Sequence, residues 1–144
     1  MNFQQEAIQD LKTYPQRLKA RDNLKERIFI LNERYISLRG VSTSEPVKGG
    51  MSRQEEKMLD NIAERERLGF SLKVVEALIE LTEKGLVALD QKERRVLDGF
   101  YINPIDNHVV KLCEELNIEK SSLYRLKDTA LKKFTRSEYG IVEL

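Results

Sequence analysis

Of the seven glycines and three prolines in this 144-residue chain, four (Gly40, Pro46, Gly49 and Gly50) fall within residues 40–50, GVSTSEPVKGG. Such a cluster, without apolar periodicity, reads as a linker. Elsewhere the breakers are isolated, so long stretches on either side are free to stay helical, and apolar/polar alternation of the strand type is scarce. The reading is all-α. A first helix is expected over residues 2–13, with Pro15 marking a break or the first turn of the next, and a long helix over 16–38. Leu24, Ile28, Leu31, Tyr35 and Leu38 are spaced by four and three residues, which gives a narrow apolar seam. After the linker, Ser52 and Glu55 have capping-box spacing. The helix they open is expected to reach about residue 81, with Gly69 as a point of interruption and Ser71 of restart. Leu68, Leu72, Val75 and Ile79 lie along one face of it, broadened by Leu78 and Leu81. Two long amphipathic helices and a short loop predict an antiparallel hairpin over residues 1–84, for oligomerisation or partner binding.

The sequence has no apolar run near the ~20 residues that span a bilayer, and MNFQQEAIQDLK lacks the features of a signal peptide. The lone Cys113 has no partner for an internal disulfide and no metal-site spacing. A cytoplasmic protein without membrane contact is expected. Net charge is +1, so the whole chain does not advertise a nucleic-acid partner. Its distribution does. Residues 120–136 carry Lys120, Arg125, Lys127, Lys132, Lys133 and Arg136 against one acid, Asp128. A local basic stripe attracts phosphates even on a near-neutral chain, although the helix dipole also favours lysines near a helix end.

From residue 86 the texture changes to short helices. Asp90 and Glu93 offer a second cap, with Val96, Leu97 and Phe100 facing inward and Asn103-Pro104 ending the helix. Asp106 or Asn107 is placed to cap a third element containing Val109, Val110, Leu112, Cys113 and Leu116. Asn117 tolerates the left-handed backbone that leaves a helix sharply, and Ser121 or Ser122 is placed to cap a last helix with Leu123, Leu126, Ala130, Leu131 and Phe134. Leu112, Leu116, Ile118, Leu123 and Leu126 meet in one small core only if two helices cross steeply. Cys113 then has to be small because the second helix packs over it. This is helix-turn-helix logic, and it predicts a DNA-binding domain over residues 85–144. Glu119, Lys120, Ser121, Ser122, Tyr124, Arg125 and Asp128 face outward on the first turns of the recognition helix, the part that reaches base edges in a major groove. Lys120 and Arg125 suit guanine or phosphate, and Ser121, Ser122 and Tyr124 suit phosphate. Lys127, Lys132, Lys133 and Arg136 suit non-specific phosphate contacts.

The segments LVALDQKERRVLDGFY and VVKLCEELNIEKSSLYRLKDTALKKF resemble region four of bacterial RNA polymerase sigma factors over residues 86–134. The resemblance implies that the second segment is a promoter-reading helix-turn-helix and that Lys120, Ser121, Ser122, Tyr124 and Arg125 lie at or near DNA. Asn117 stands where the family has glycine, and Cys113 where it has alanine. Segments equivalent to those that melt promoters or bind the polymerase clamp are missing. Over its whole length the chain is similar to small phage regulators of late, packaging or lysis genes, the RinA- and ArpU-like group. In those, a helical half and a linker, here SEPVKGG, precede a sigma-like helix-turn-helix.

No phosphate-binding glycine loop, His-Glu-x-x-His pair or serine nucleophile elbow is present. The only histidine, His108, reads as a solvent-facing or capping residue, and no histidine is placed to activate Cys113. Neither a catalytic site, a metal site nor a cofactor is expected. The expectation is a transcriptional regulator that binds double-stranded DNA as a homodimer, with RNA polymerase as a further candidate partner. Two other readings fit parts of the pattern: the small subunit of a phage terminase, and a helical adaptor of RNA polymerase that does not bind DNA.

Overall fold

The computed structural model describes residues 1–40, 50 and 52–143. The expected linker, apart from Gly40 and Gly50, lies outside the described residues. Every regular element among them is helical: α1 (Phe3–Arg39), α2 (Arg53–Val87), α3 (Gln91–Leu97), a π-helical turn (Asp98–Ile102), α4 (His108–Leu116) and α5 (Lys120–Tyr139). None of these helices is long and apolar enough to cross a membrane.

Two expected interruptions do not occur. Pro15 lies inside a continuous 37-residue α1. Proline in a helix interior lacks one donor and crowds the preceding turn, but here that preceding turn is itself held by tertiary contacts. Leu11 before it is wholly buried, and Tyr14 beside it donates to Glu83 Oε1 on α2 at 3.0 Å. Gly69 likewise lies inside an uninterrupted α2, which continues to Val87 rather than ending near residue 81. One glycine costs a helix only about 1 kcal/mol, less than the burial of Leu68 next to it contributes.

The chain divides into two compact units. Residues 19–76 form one, and residues 1–18 with 77–144 the other, so the first turns of α1 cluster with the C-terminal helices, across the expected division at residues 84 and 85.

In the unit of residues 19–76, α1 and α2 meet with opposite sense, the partner number falling along α2 as it rises along α1. Asn61 Nδ2 donates to the Leu31 carbonyl at 2.8 Å, Arg27 pairs with Glu64 at 3.6 Å, and Gln54 donates to the Leu38 carbonyl. Asn61 is buried, and its own oxygen accepts from Arg65 Nε at 2.8 Å. The Arg65 guanidinium also lies 4.7 Å from the Tyr35 ring centroid and donates to Asn32 Oδ1 at 2.6 Å. A buried amide satisfied on both ends favours one register, because sliding the helices would orphan it. The seam Leu24, Ile28, Leu31, Tyr35 and Leu38 is half-buried, and the α1 residues between them are more exposed. The Ser52 cap forms, with Glu55 N donating to Ser52 Oγ at 3.1 Å.

The other unit has two apolar clusters. Ala7 and Leu11 of α1, Leu86 at the end of α2, Leu89, Leu97 of α3, and Ala130, Leu131 and Phe134 of α5 form the first. Close approach of α2 to α5 depends on Gly85: a Cβ there would lie 2.5 Å from Cδ2 and Cε2 of Phe134. The second cluster gathers Val96, Leu112 and Leu123, with Phe100, Ile105, Val109, Cys113, Leu116, Ile118 and Leu126 packed against it. This is the small core expected from the sequence, and Cys113 sits at its margin, half-buried.

Candidate nucleic-acid interface

The connection between α4 and α5 is set by Asn117, which adopts the left-handed conformation (φ 54°, ψ 50°) expected of it. Its amide and that of Ile118 both donate to the Cys113 carbonyl, the latter at 3.1 Å. Ile118 therefore turns back onto the Leu112–Leu123 cluster, and the chain enters α5 through an extended Glu119.

The expected serine cap is replaced by another start. The N-cap position is Glu119, and no side chain bonds the first turn. Ser121 and Ser122 lie within that turn because the extended backbone needed before a helix falls two residues earlier. Their hydroxyls are thereby not in the N-cap position, and among the described residues no side chain accepts from the first amides of α5. Such a terminus carries a partial positive charge that favours anions. Asn107 likewise precedes α4 in the left-handed region without a side-chain cap. By contrast, Asp90 and Glu93 make both halves of their capping box, Glu93 N to Asp90 Oδ1 at 2.8 Å and Asp90 N to Glu93 Oε1 at 3.1 Å.

With 100° per residue, Ser121, Arg125, Lys132 and Arg136 fall within about 60° of arc on α5, flanked by Asp128 and Thr129. All six are exposed. Among the described residues Arg125, Lys132 and Arg136 have no ion-pair partner. Lys120 is exposed at the helix start, and Ser122 is half-buried. These residues therefore make an outward basic row backed by the buried Leu123, Ala130, Leu131 and Phe134.

Three of the sequence-selected residues are engaged elsewhere. Lys127 is mostly covered and pairs with Asp128 at 2.9 Å. Its ammonium lies 5.9 Å from the Phe100 ring centroid and 5.7 Å from that of Tyr124. The bond to Asp128 keeps Lys127 more strongly protonated than an ordinary lysine, against the opposing effect of burial. Tyr124, 38% exposed, packs edge-on against Phe100 at 6.0 Å between centroids. Lys133 turns the other way, onto Glu93, with Nζ 2.9 Å from Oε2. Glu93 is only 2% exposed, so this lysine neutralises a carboxylate that the α3 cap has drawn inside.

Sequence reasoning missed the π-helical turn that presents Phe100. There Asn103 N donates to the Asp98 carbonyl, and Asn103 Nδ2 to Asp98 Oδ1, both at 2.8 Å. The extra residue per turn aims Phe100 between His108, 4.6 Å away and edge-on, and Tyr124. His108 is thus a half-buried aromatic neighbour at the start of α4. Gly99 in the same turn sits under Leu112, whose side-chain carbons would be 3.0–3.4 Å from a Cβ at that position. Arg95 then ties α3 to α4 through Glu115 at 2.7 Å, while also holding Asp98 at 3.1 Å.

No family model, curated protein or solved structure matches the chain.

Proposed function

We propose that the chain is a sequence-specific double-stranded DNA-binding protein that regulates transcription, of the phage late-gene activator type. In this reading an N-terminal helical hairpin joins a sigma-region-four-like helix-turn-helix, in which α4 is the supporting helix and α5 the recognition helix. The observation that carries the reading is the exposed row of Ser121, Arg125, Lys132 and Arg136, directly after a left-handed turn at Asn117. Lys120 and Arg125 meet base edges or the nearest phosphates, Ser121 and Ser122 supply hydroxyl donors, and Lys132 and Arg136 follow the backbone. Asp128 selects against wrongly placed phosphates. Tyr124 and Lys127 chiefly hold α5 against Phe100, and Lys133 serves Glu93.

The hairpin serves self-association, with polymerase as a second partner. Phe29, Ile36 and Phe70 in the unit of residues 19–76 are 63%, 62% and 70% exposed, and a second copy is the partner this reading assigns to them. A homodimer would set two recognition helices about one turn of DNA apart.

Selection from randomised duplexes tests the reading. The expected result is a recurrent site whose capture is lost in the Lys120→Ala, Arg125→Ala double variant. Four contacting cations predict that the logarithm of affinity falls with the logarithm of salt at a slope of about 3 to 4 per protomer. Absence of binding at low salt would overturn the proposal. Sedimentation tests the assembly: a dimer is expected, whereas a closed ring would redirect the reading to a packaging-site subunit.

A further inference from the structure

A polar cluster around the buried Glu138, just past the C-terminal end of the basic row, joins the first turns of α1 to the last turn of α5. Asp10, on the second and third turns of α1, accepts from Tyr139 at 2.8 Å and pairs with Arg17 at 3.1 Å. Beside Tyr139, Glu138 is 7% exposed, and its Oε2 is buried with no hydrogen-bond partner among the described residues. Glu138 and Asp10 nevertheless lie within hydrogen-bonding reach of each other. Two carboxylates have no proton to share, so a hydrogen bond between them requires one to be protonated. Asp10 is the natural anion, because Arg17 and Tyr139 both donate to it. The donor-free Oε2 of Glu138 is the natural place for the proton.

We propose that Asp10 and Glu138 hold one proton between them at neutral pH, forming a latch between the first turns of α1 and the last turn of α5 that opens when this proton is lost. The charge count supports it. Asp10 and Arg17 cancel, and a protonated Glu138 adds nothing, whereas an ionised Glu138 would place a second negative charge in a buried site with one cation. The other groups facing the cluster do not supply the missing positive charge. Glu6 on α1 and the Tyr139 hydroxyl add no cation, and Glu83 on α2 is bonded to Tyr14. Burial first, then the hydrogen bond and charge of Asp10, push the Glu138 carboxyl up to about 9. For Asp10, burial pushes upward, but the bonds from Glu138, Tyr139 and Arg17 outweigh it and hold the group below its ordinary value. Burial and the bond to Asp10 also raise the Tyr139 hydroxyl. Both ends of the latch are anchored: Phe3 packs on the Tyr139 ring at 5.3 Å between centroids, and Ala7 and Leu11 lie in the same core as Phe134.

The sign follows from the direction of the shift. The folded chain keeps a proton that the unfolded chain loses near pH 4.5, so stability falls as pH rises from there toward 9. Asp10 is ionised in both states across this window and adds no slope.

The test is carboxyl-carbon NMR of the full chain labelled in Glu and Asp side chains, with amide-exchange protection measured over the same pH series. The expected result is a Glu138 midpoint well above 7, and protection in residues 3–14 that declines through that midpoint. Glu138→Gln, whose amide also donates to Asp10, should make protection there independent of pH. A Glu138 midpoint below 6 would overturn the shared proton. A high midpoint without loss of protection, or equal loss in Glu138→Gln, would overturn the latch.

Discussion

Replacing Gly85 with alanine tests whether α2 and α5 touch as closely as described. Carbon atoms rest at about 3.5–4.0 Å, yet the new Cβ would lie 2.5 Å from two ring carbons of Phe134 and 3.1 Å from its carbonyl oxygen. The overlap is about 1 Å. The ring has little room to yield, since Phe134 is wholly buried among Leu97, Ala130 and Leu131. Overpacking of this kind costs about 1–3 kcal/mol. Alanine returns at most about 1 kcal/mol through helix propensity, and less here because Gly85 is in the last turn of α2. The net expectation is a loss of about 1–2 kcal/mol, or roughly 3–7 °C in melting temperature for a chain of this length. Urea and thermal unfolding followed by circular dichroism measure it. Phe134→Leu removes ring atoms from the contact, so the double variant should lose less than the sum of the singles, with a coupling of about 1 kcal/mol. A Gly85→Ala protein as stable as the parent, or more so, would refute the close approach. Strictly additive singles would place the strain elsewhere.

Lys132 and Lys133 are sequence neighbours with separate expected effects. Lys132→Ala should lower the salt dependence of DNA binding by about one unit of slope and leave stability unchanged. Lys133→Ala should cost about 1 kcal/mol of stability by stranding Glu93, with little effect on DNA affinity, and urea melts beside binding titrations separate the two. At Asn117, where φ is 54°, Asn117→Gly should be neutral or stabilising, whereas Asn117→Val should cost about 1–2 kcal/mol and weaken DNA binding through α5 placement. Equal stability of the two variants would remove the argument for a left-handed turn.

What the sequence disclosed was local. Four-and-three spacing was enough to place Leu24, Ile28, Leu31, Tyr35 and Leu38 on the covered side of α1, and Leu112, Leu116, Ile118, Leu123 and Leu126 in one cluster. Asn117 was legible because few residue types tolerate its backbone. The Asp90–Glu93 box was legible because its partners are three residues apart. What stayed hidden depends on distant partners. Pro15 and Gly69 look like breaks until tertiary packing is weighed against their helical cost, about 3 kcal/mol for the proline and about 1 kcal/mol for the glycine. Lys133 resembles Lys132 in sequence, and only a carboxylate forty positions away distinguishes them. Phe100 faces inward as expected, but the π-helical turn has no composition of its own, so the contacts of Phe100 with His108, Tyr124 and Lys127 could not be foreseen. Nor does any pattern in residues 1–18 announce that Ala7 and Leu11 belong beside Phe134.

That last arrangement bears on how the protein is born. Residues 7 and 11 leave the ribosome early, but the surface that covers them includes Ala130, Leu131 and Phe134, and Asp10 waits for Tyr139, 129 positions later. At about 5–20 residues per second, the nascent α1 spends several seconds or more with Leu11 uncovered. The helices of residues 19–76 have their mutual contacts within reach much sooner. The domain that carries the basic row therefore closes last, when the end of α5 emerges to meet the beginning of the chain.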